Sequence, residues 1–338
     1  MDKPARASRV TIRTVAADAG VSVAAVSKVL RNAYGVSDAL RQKVMTSIDK
    51  LGYRPSTAAR GMRGRTFTIG VLLVGMDNPF LPPLVSSFKQ AMGKEGYNTL
   101  MGVGEARTHV ESALIDSMID MRIDGLLLIA PRISGATLDH YAGQVPISVI
   151  GHHENTAKTF DTTNVDDFSG GRAATEALIK KGYRDIAMLC LKHSKRRDGE
   201  VWYERERGYH AAMQEAGLEN FSRIVRIAER PDEMQPQLLT LLEEPGRPEA
   251  FFCWSDIHGV PLINAARMKG LRVPGDLGLI SYDNTAPAGL PLIGLASIDQ
   301  NPTILGQCAA DQLLSRLKGR AEASHAVIEP ELIIRKSF

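Results

Sequence analysis

The sequence predicts two architectures in one chain: a small all-α head carrying a helix-turn-helix, and a two-lobed α/β body of doubly wound parallel sheets. Three observations predict this. Residues 1–65 hold 13 Lys/Arg against 4 Asp/Glu and the remainder holds 28 against 34, so a net charge of +3 conceals +9 at the front and −6 behind. The apolar residues of the first part recur at helical spacing in short runs separated by a tight turn. From about residue 66 onward, strand-like and helix-like runs alternate, as in βα units wrapped around parallel sheet.

The 338-residue length suits two or three domains of about 100–200 residues. With 44% hydrophobic and 23% charged residues, the chain has enough apolar material for sizeable cores, which excludes wholesale disorder. Cys190, Cys253 and Cys308 lie far apart with no CxxC spacing. That pattern argues against a disulfide framework or a cysteine zinc site and for a reducing compartment. The first residues carry no apolar signal core, and no apolar run is long enough to cross a bilayer. A cytoplasmic protein with no membrane partner is expected.

In the head, Thr11 is placed to cap a helix whose Ile12, Val15, Ala16 and Ala19 share one face. Gly20 ends it in the left-handed conformation that helix ends favour. Ser22 caps a second helix, Val23 to Arg31, with Val26, Val29 and Leu30 inward. A third, Ser37 to Leu51, presents Leu40, Val44, Ile48 and Leu51. Two short helices joined by a tight turn make a helix-turn-helix. Its second helix suits the major groove of B-DNA. There Val23 and Ala24 offer contact to thymine methyls, and Lys28 reaches a guanine edge or a phosphate. Thr11, Ser22, Ser27 and Arg31 supply phosphate contacts. The alternative is a small packing subdomain with a solvated basic tail.

The run from Thr11 to Leu30, and the later Val36-Ser37 and Leu51-Gly52-Tyr53-Arg54-Pro55-Ser56, resemble the DNA-binding head of the lactose-repressor (LacI) family in residue type and spacing. The resemblance continues through nearly the whole chain. It implies a head at 1–54, a hinge helix or linker at 55–65, and a body at 66–338 with the periplasmic-binding-protein fold of these repressors. It also implies paired hinge helices that enter the minor groove, with Met62 as the wedge and Ala59 one turn earlier. Met is an acceptable wedge between base steps. Gly61 costs the segment roughly 1 kcal/mol of helix propensity, so the hinge is expected to order on DNA.

In the body, the strands expected are Phe67–Val74, Asn98–Val103, Gly125–Ala130, Pro146–Ile150, Ile186–Leu191, Ala250–Trp254 and Leu277–Tyr282. The helices expected are Phe80–Lys94, Val110–Met121, Asp166–Lys181, Val201–Ala216, Glu233–Leu242, His258–Lys269 and Thr303–Lys318. So many elements suggest two sheets, hence two lobes, with ligands at the carboxyl ends of the strands. The resemblance implies lobes crossed three times by the chain: 66–162 with 297–323, and 163–296 with 324–338.

It also implies the effector residues. Asn78 and Phe80, in Asp77-Asn78-Pro79-Phe80, resemble the sugar-contacting Asn-Pro-Phe of ribose-type members. Arg205 matches the family's effector-binding arginine, Asp283 its strand-end aspartate and Gln300 a crossover residue. Ser255 stands where many sugar-binding members carry Asn, which leaves that contact in doubt. Arg132, after Pro131, reaches either the cleft or the surface. Lys192 to Asp198 is an unusually basic stretch that suits an anionic effector or is simply a solvated loop.

No GxxxxGK[ST], GxSxG or HExxH motif is present. His152 and His153, adjacent on an extended segment, would face opposite ways and share no metal. No catalytic residue, metal or cofactor is expected. The reading is a regulator, usually a repressor, that binds near-palindromic operator DNA as a homodimer under control of a sugar or sugar acid. The alternatives are a co-repressed or activating regulator that answers to a phosphosugar or purine, and an α/β metabolic enzyme.

Overall fold

The computed structural model describes residues 10–30, 33–54, 64–192 and 200–338. It divides into two compact units, one up to Thr66 and one from Phe67 onward. The first holds α1 (Ile12–Asp18), α2 (Val23–Leu30) and α3 (Asp38–Leu51). Each begins where the sequence supplies a hydroxyl to cap it. Thr11 and Thr14 form a reciprocal capping box, Ser22 Oγ accepts from the Ala25 amide at 3.1 Å, and Ser37 Oγ from Leu40 at 3.3 Å. Gly20, at φ +56°, makes the turn between α1 and α2 in a conformation that L side chains rarely adopt. Val15, Ala16, Ala19, Val26, Val29, Val44 and Ile48 form the core. Asp18 ties α1 to α3, accepting from Ser47 and Lys50 at 2.7 Å each; the Lys50 hydrogen bond is the main reason its carboxyl lies below the usual range.

The second unit contains two six-stranded sheets. One has the order β11-β5-β4-β3-β1-β2 and is parallel throughout; the other runs β12-β10-β9-β8-β6-β7, with only β12 antiparallel. The first comprises β1 (Thr68–Leu73), β2 (Asn98–Val103), β3 (Gly125–Ile129), β4 (Ile147–Ile150), β5 (Asp161–Val165) and β11 (His325–Ile328). Its helices are α4 (Leu81–Lys94), α5 (Thr108–Asp120), α6 (Gly135–Ala142) and α12 (Pro302–Leu317). The second comprises β6 (Ile186–Leu191), β7 (Arg223–Ile227), β8 (Ala250–Cys253), β9 (Gly278–Tyr282), β10 (Ala296–Asp299) and β12 (Glu331–Ile333). Around it lie α7 (Asp167–Lys180), α8 (Val201–Glu215), α9 (Pro231–Glu243), α10 (Asp256–Met268) and the single turn α11 (Ala286–Gly289).

The central strands are apolar end to end because both faces are covered. Along β1, Ile69, Val71 and Leu73 join Leu84 and Phe88 of α4 and Leu305 and Leu313 of α12. Leu72, on the other face, joins Ile115 and Met118 of α5 and Leu138 of α6. The second lobe repeats the arrangement: Leu189 packs with α9 and α10, whereas Met188 and Cys190 pack with α7 and α8. These cores do not merge, so each lobe is a separately packed sandwich.

The lobe boundaries differ from those expected. No strand here is shared between the sheets: β5 lies wholly in the first, β10 in the second and β11 in the first. The chain therefore crosses after Val165, after Asp299 and after Ile328, not at 162, 296 and 323. The β5 segment, Asp-Thr-Thr-Asn-Val, is too polar to read as a strand, yet it is buried throughout. Asp161 is held there by Arg316 at 3.0 Å and Arg320 at 2.7 Å, so partners from distant sequence make a polar strand tolerable.

Two glycines bring α7 and α8 together. A Cβ on Gly171 would lie 2.4 Å from the carbonyl oxygen of Arg205, and one on Gly208 would lie 2.1 Å from that of Phe168. Backbone cannot yield as a side-chain tip can. Gly208→Ala is expected to cost at least ~2 kcal/mol through overpacking. Gly93→Ala, in α4 with nothing within 4 Å of its would-be Cβ, should be neutral or stabilising by up to ~1 kcal/mol. Urea unfolding of the two variants checks the contrast; similar midpoints would contradict it.

Candidate functional site

On the head, α2 places Ser22, Ala24 and Lys28 on the exposed surface. Val23, Ala25 and Ser27 are half-buried, and Val23 leans against the core. Of the residues expected to meet DNA, Thr11 is also exposed. Its side chain is engaged in the α1 cap, which leaves its hydroxyl part of a local network. Arg31, Ala59 and Met62 lie outside the described residues.

In the body, several expected effector residues converge on one carboxylate between the lobes. Asp283 follows β9 at φ +101°, a strained backbone position for a residue with a Cβ. Its Oδ2 accepts from Asn78 Nδ2 of the first lobe at 3.1 Å and from Ser255 Oγ at 2.5 Å. Its Oδ1 accepts from Gln300 Nε2 at 2.5 Å and lies 3.8 Å from Arg205. Asp256 steadies the turn beyond, accepting from the Thr285 amide and hydroxyl at 2.7 and 2.8 Å and from Ser297 at 2.8 Å. Burial is the main influence on Asp283 and pushes its carboxyl up to about 6, against the opposing pull of Arg205.

Arg205 is 3% exposed. Its Nε donates to Asp167 at 2.7 Å, one η nitrogen donates to the Trp254 carbonyl at 2.6 Å, and the guanidinium lies 3.6 Å from the Tyr282 ring centre. Burial opposes its charge, but Asp167 outweighs that and raises its pKa further. For Asp167, too, burial works against ionisation, and Arg205 with His153 overrides it, holding the carboxyl below the usual range. An arginine so placed can be offered to a ligand without being left unpaired when the ligand departs.

The remaining expected residues behave differently. Phe80 turns its ring into the first-lobe core and leaves little of it for stacking, while its amide donates to Asn78 Oδ1 at 3.0 Å. Ser255 is fully buried behind Asp283 and caps α10, so it orients the carboxylate. Arg132 crosses the cleft to Glu200 at 2.7 Å. It borders a cavity of about 550 Å³ that His109, Ser134, His152, Glu154 and Glu200 also line.

Sequence reasoning missed Asp167, His153, Tyr282 and His258. His153, at the end of the first lobe, meets Asp167 of the second at 2.8 Å, whereas His152 turns to Glu154 at 3.0 Å. The two histidines, which lie beyond the end of β4, thus take separate partners. His258 accepts from the Trp254 indole at 2.8 Å, and burial pushes it down to about 4, so it stays neutral. No group of three potential metal ligands is gathered among the described residues.

The raised carboxyl of Asp283 has a defined sign. Its pKa is higher in the folded protein than in the unfolded chain, so its contribution to stability is fully present below the ordinary carboxyl range and is lost as pH rises through about 6. The melting temperature of the wild type should rise relative to that of Asp283→Asn as pH falls from about 7.5 to about 5. A gap that stays constant over that range would contradict the assignment.

Residues 11–56 match the bacterial regulatory proteins of the lacI family, and 175–338 match the periplasmic binding protein-like domain. Over 336 residues the chain is 31% identical to the HTH-type transcriptional repressor PurR of Erwinia tasmaniensis, covering 97% of this chain and 96% of that one. PurR of Pasteurella multocida is also 31% identical, over 338 residues, with 97% and 98% covered. The solved complex of the transcriptional regulator CelR with cellobiose aligns with a TM-score of 0.69 at 26% identity, over 98% of this chain and 100% of that one. The lac repressor dimer bound to operator and the anti-inducer ONPF shares the fold, with a TM-score of 0.83 at 22% identity over 97% and 99%. No helix among the described residues is long and apolar enough to cross a membrane. Head, body and relatives agree: this chain belongs to the LacI family of bacterial regulatory proteins, which are DNA-binding transcription regulators and not enzymes.

Proposed function

We propose that the chain is a cytoplasmic repressor that grips a near-palindromic operator as a homodimer and adjusts its grip to a small molecule held between the lobes of its body. The observation that carries the proposal is the convergence of Asn78, Ser255, Gln300 and Arg205 on Asp283, with donors from both lobes meeting one acceptor. A ligand that satisfies that carboxylate and Arg205 changes which lobe contacts are worth keeping. It shifts the equilibrium by its differential affinity for the two arrangements.

On the DNA side, Ala24 and Lys28 read the major groove and Ser22 holds phosphate, with Thr11, Val23, Ser27 and Arg31 in support and Ala59 and Met62 in the minor groove. On the effector side, the buried carboxylates Asp167, Asp256 and Asp283 outnumber Arg205. That balance favours a hydroxyl-rich, uncharged sugar over a phosphosugar. Binding of a sugar acid would point instead to a contribution from the basic stretch 193–197, which lies outside the described residues.

Selection from a random duplex pool, followed by titration at rising salt, tests the DNA reading. Lys28→Ala is expected to reduce specific binding by ~1–3 kcal/mol while largely sparing nonspecific binding. Equal losses on selected and scrambled duplexes would count against a base contact. A thermal-shift screen of sugars, sugar acids, phosphosugars and purines then supplies the effector. Asp283→Ala should abolish that shift with operator affinity intact, and a normal shift would move the seat elsewhere.

A further inference from the structure

The contacts around Arg205 continue past it. Asp167 uses both oxygens, one on Arg205 Nε at 2.7 Å and the other on His153 Nε2 at 2.8 Å. Asp167 is 1% exposed and His153 22%. Arg205 and Asp167 belong to the second lobe, where the close backbone approaches at Gly171 and Gly208 fix α7 against α8. His153 belongs to the first, in the segment after β4. The first lobe therefore touches this network at two ends, through Asn78 on Asp283 and through His153 on Asp167.

We infer that His153 and Asp167 form a relay that holds the Arg205 guanidinium in its ligand-facing orientation only while the lobes are closed, which makes both positioning residues for effector capture. A carboxylate fixed from two sides has one orientation, and the planar guanidinium bonded to it inherits that orientation. When the lobes part, Asp167 loses its outer donor and gains room to rotate, and Arg205 follows. Opening and loss of the arginine's alignment are thus one event. The contact serves a neutral imidazole N–H as well as an imidazolium, so the relay works without a change of protonation. It rests on the proposed reading of this cleft as the effector seat.

The test uses the full ligand-free chain with ¹⁵N-labelled arginine. The Nε–H signal of Arg205 is assigned by its absence from Arg205→Lys. Arg320, whose Nε donates to Ser315 Oγ at 2.9 Å, serves as a control remote from the relay. In His153→Ala, solvent exchange of the Arg205 Nε–H should quicken roughly tenfold while that of Arg320 stays put. His153→Gln, which retains a donor for Asp167, should restore most of the protection. An unchanged Arg205 signal in the alanine variant, equal acceleration at Arg320, or failure of glutamine to restore protection would each overturn the relay. Neither DNA nor effector enters the measurement, so failure here leaves the regulator reading standing, whereas failure of the screens above would leave the His153–Asp167–Arg205 coupling measurable but remove its role in effector capture.

Discussion

A guanidinium taken out of water is costly; for an isolated buried ion the effective penalty is several kcal/mol even after relaxation. Arg205 bears this burial between two helices, and much of the second lobe is arranged to offset it. Asp167 supplies the counter-charge, the Trp254 carbonyl a neutral acceptor, and Tyr282 the π face. Asp167, at the start of α7, reaches the arginine where α7 and α8 lie unusually close. The approach depends on Gly171 and Gly208, where side chains would collide with backbone. The absence of two Cβ atoms thus permits a buried ion pair, and the ion pair in turn places a buried cation beside Asp283.

The two lobes meet differently from the way each is packed. Within a lobe, sheets and helices share dry apolar clusters. Across the cleft, among the described residues, hydrogen bonds join Asn78 to Asp283, His153 to Asp167 and Arg132 to Glu200. A hydrogen bond to a charged group, exchanged for water, changes free energy by only about 1.5–3 kcal/mol, where separating an apolar core would cost far more. Closure of this kind is reversible at modest cost, and a small molecule with a few well-placed hydroxyls can decide it. The strained turn at Asp283 serves the same end. Asp256 and its three donors hold the acceptor still, so it need not be ordered each time a ligand arrives.

What the sequence reveals follows from which physical signals are local. The head is legible almost residue by residue, because caps, apolar spacing and a turn glycine act within a few positions. Strands such as Ile186–Leu191 are legible because an unbroken apolar run has little else to become. β5 was hidden because the partners of its buried Asp161, Arg316 and Arg320, lie more than 150 residues away in sequence. The short helix α6 and the edge strands β7, β11 and β12 were missed for a related reason, since their weak patterns gain meaning only once neighbours are in place. In the cleft, Arg205, Asp283, Asn78 and Gln300 came from motif position. Asp167 was visible only as part of a helix start, and His153 only as half of an implausible metal pair. Phe80 shows the converse: a motif match carries no information about which way the ring turns, and here it faces the first-lobe core.

The order in which the two sheets draw on the chain bears on how the molecule is made. Of the body, the residues that leave the ribosome first build β1 to β5, yet the sandwich they begin lacks α12 and β11 until residues 302–328 have emerged. The second sandwich, encoded largely in the middle, has nearly all its parts earlier. During synthesis the later-encoded half is therefore equipped to fold first, while the earlier half waits with an uncovered apolar face for its closing helix. Chaperone demand and sensitivity to premature termination should accordingly concentrate on the front of the body, although its strands are the first to be translated.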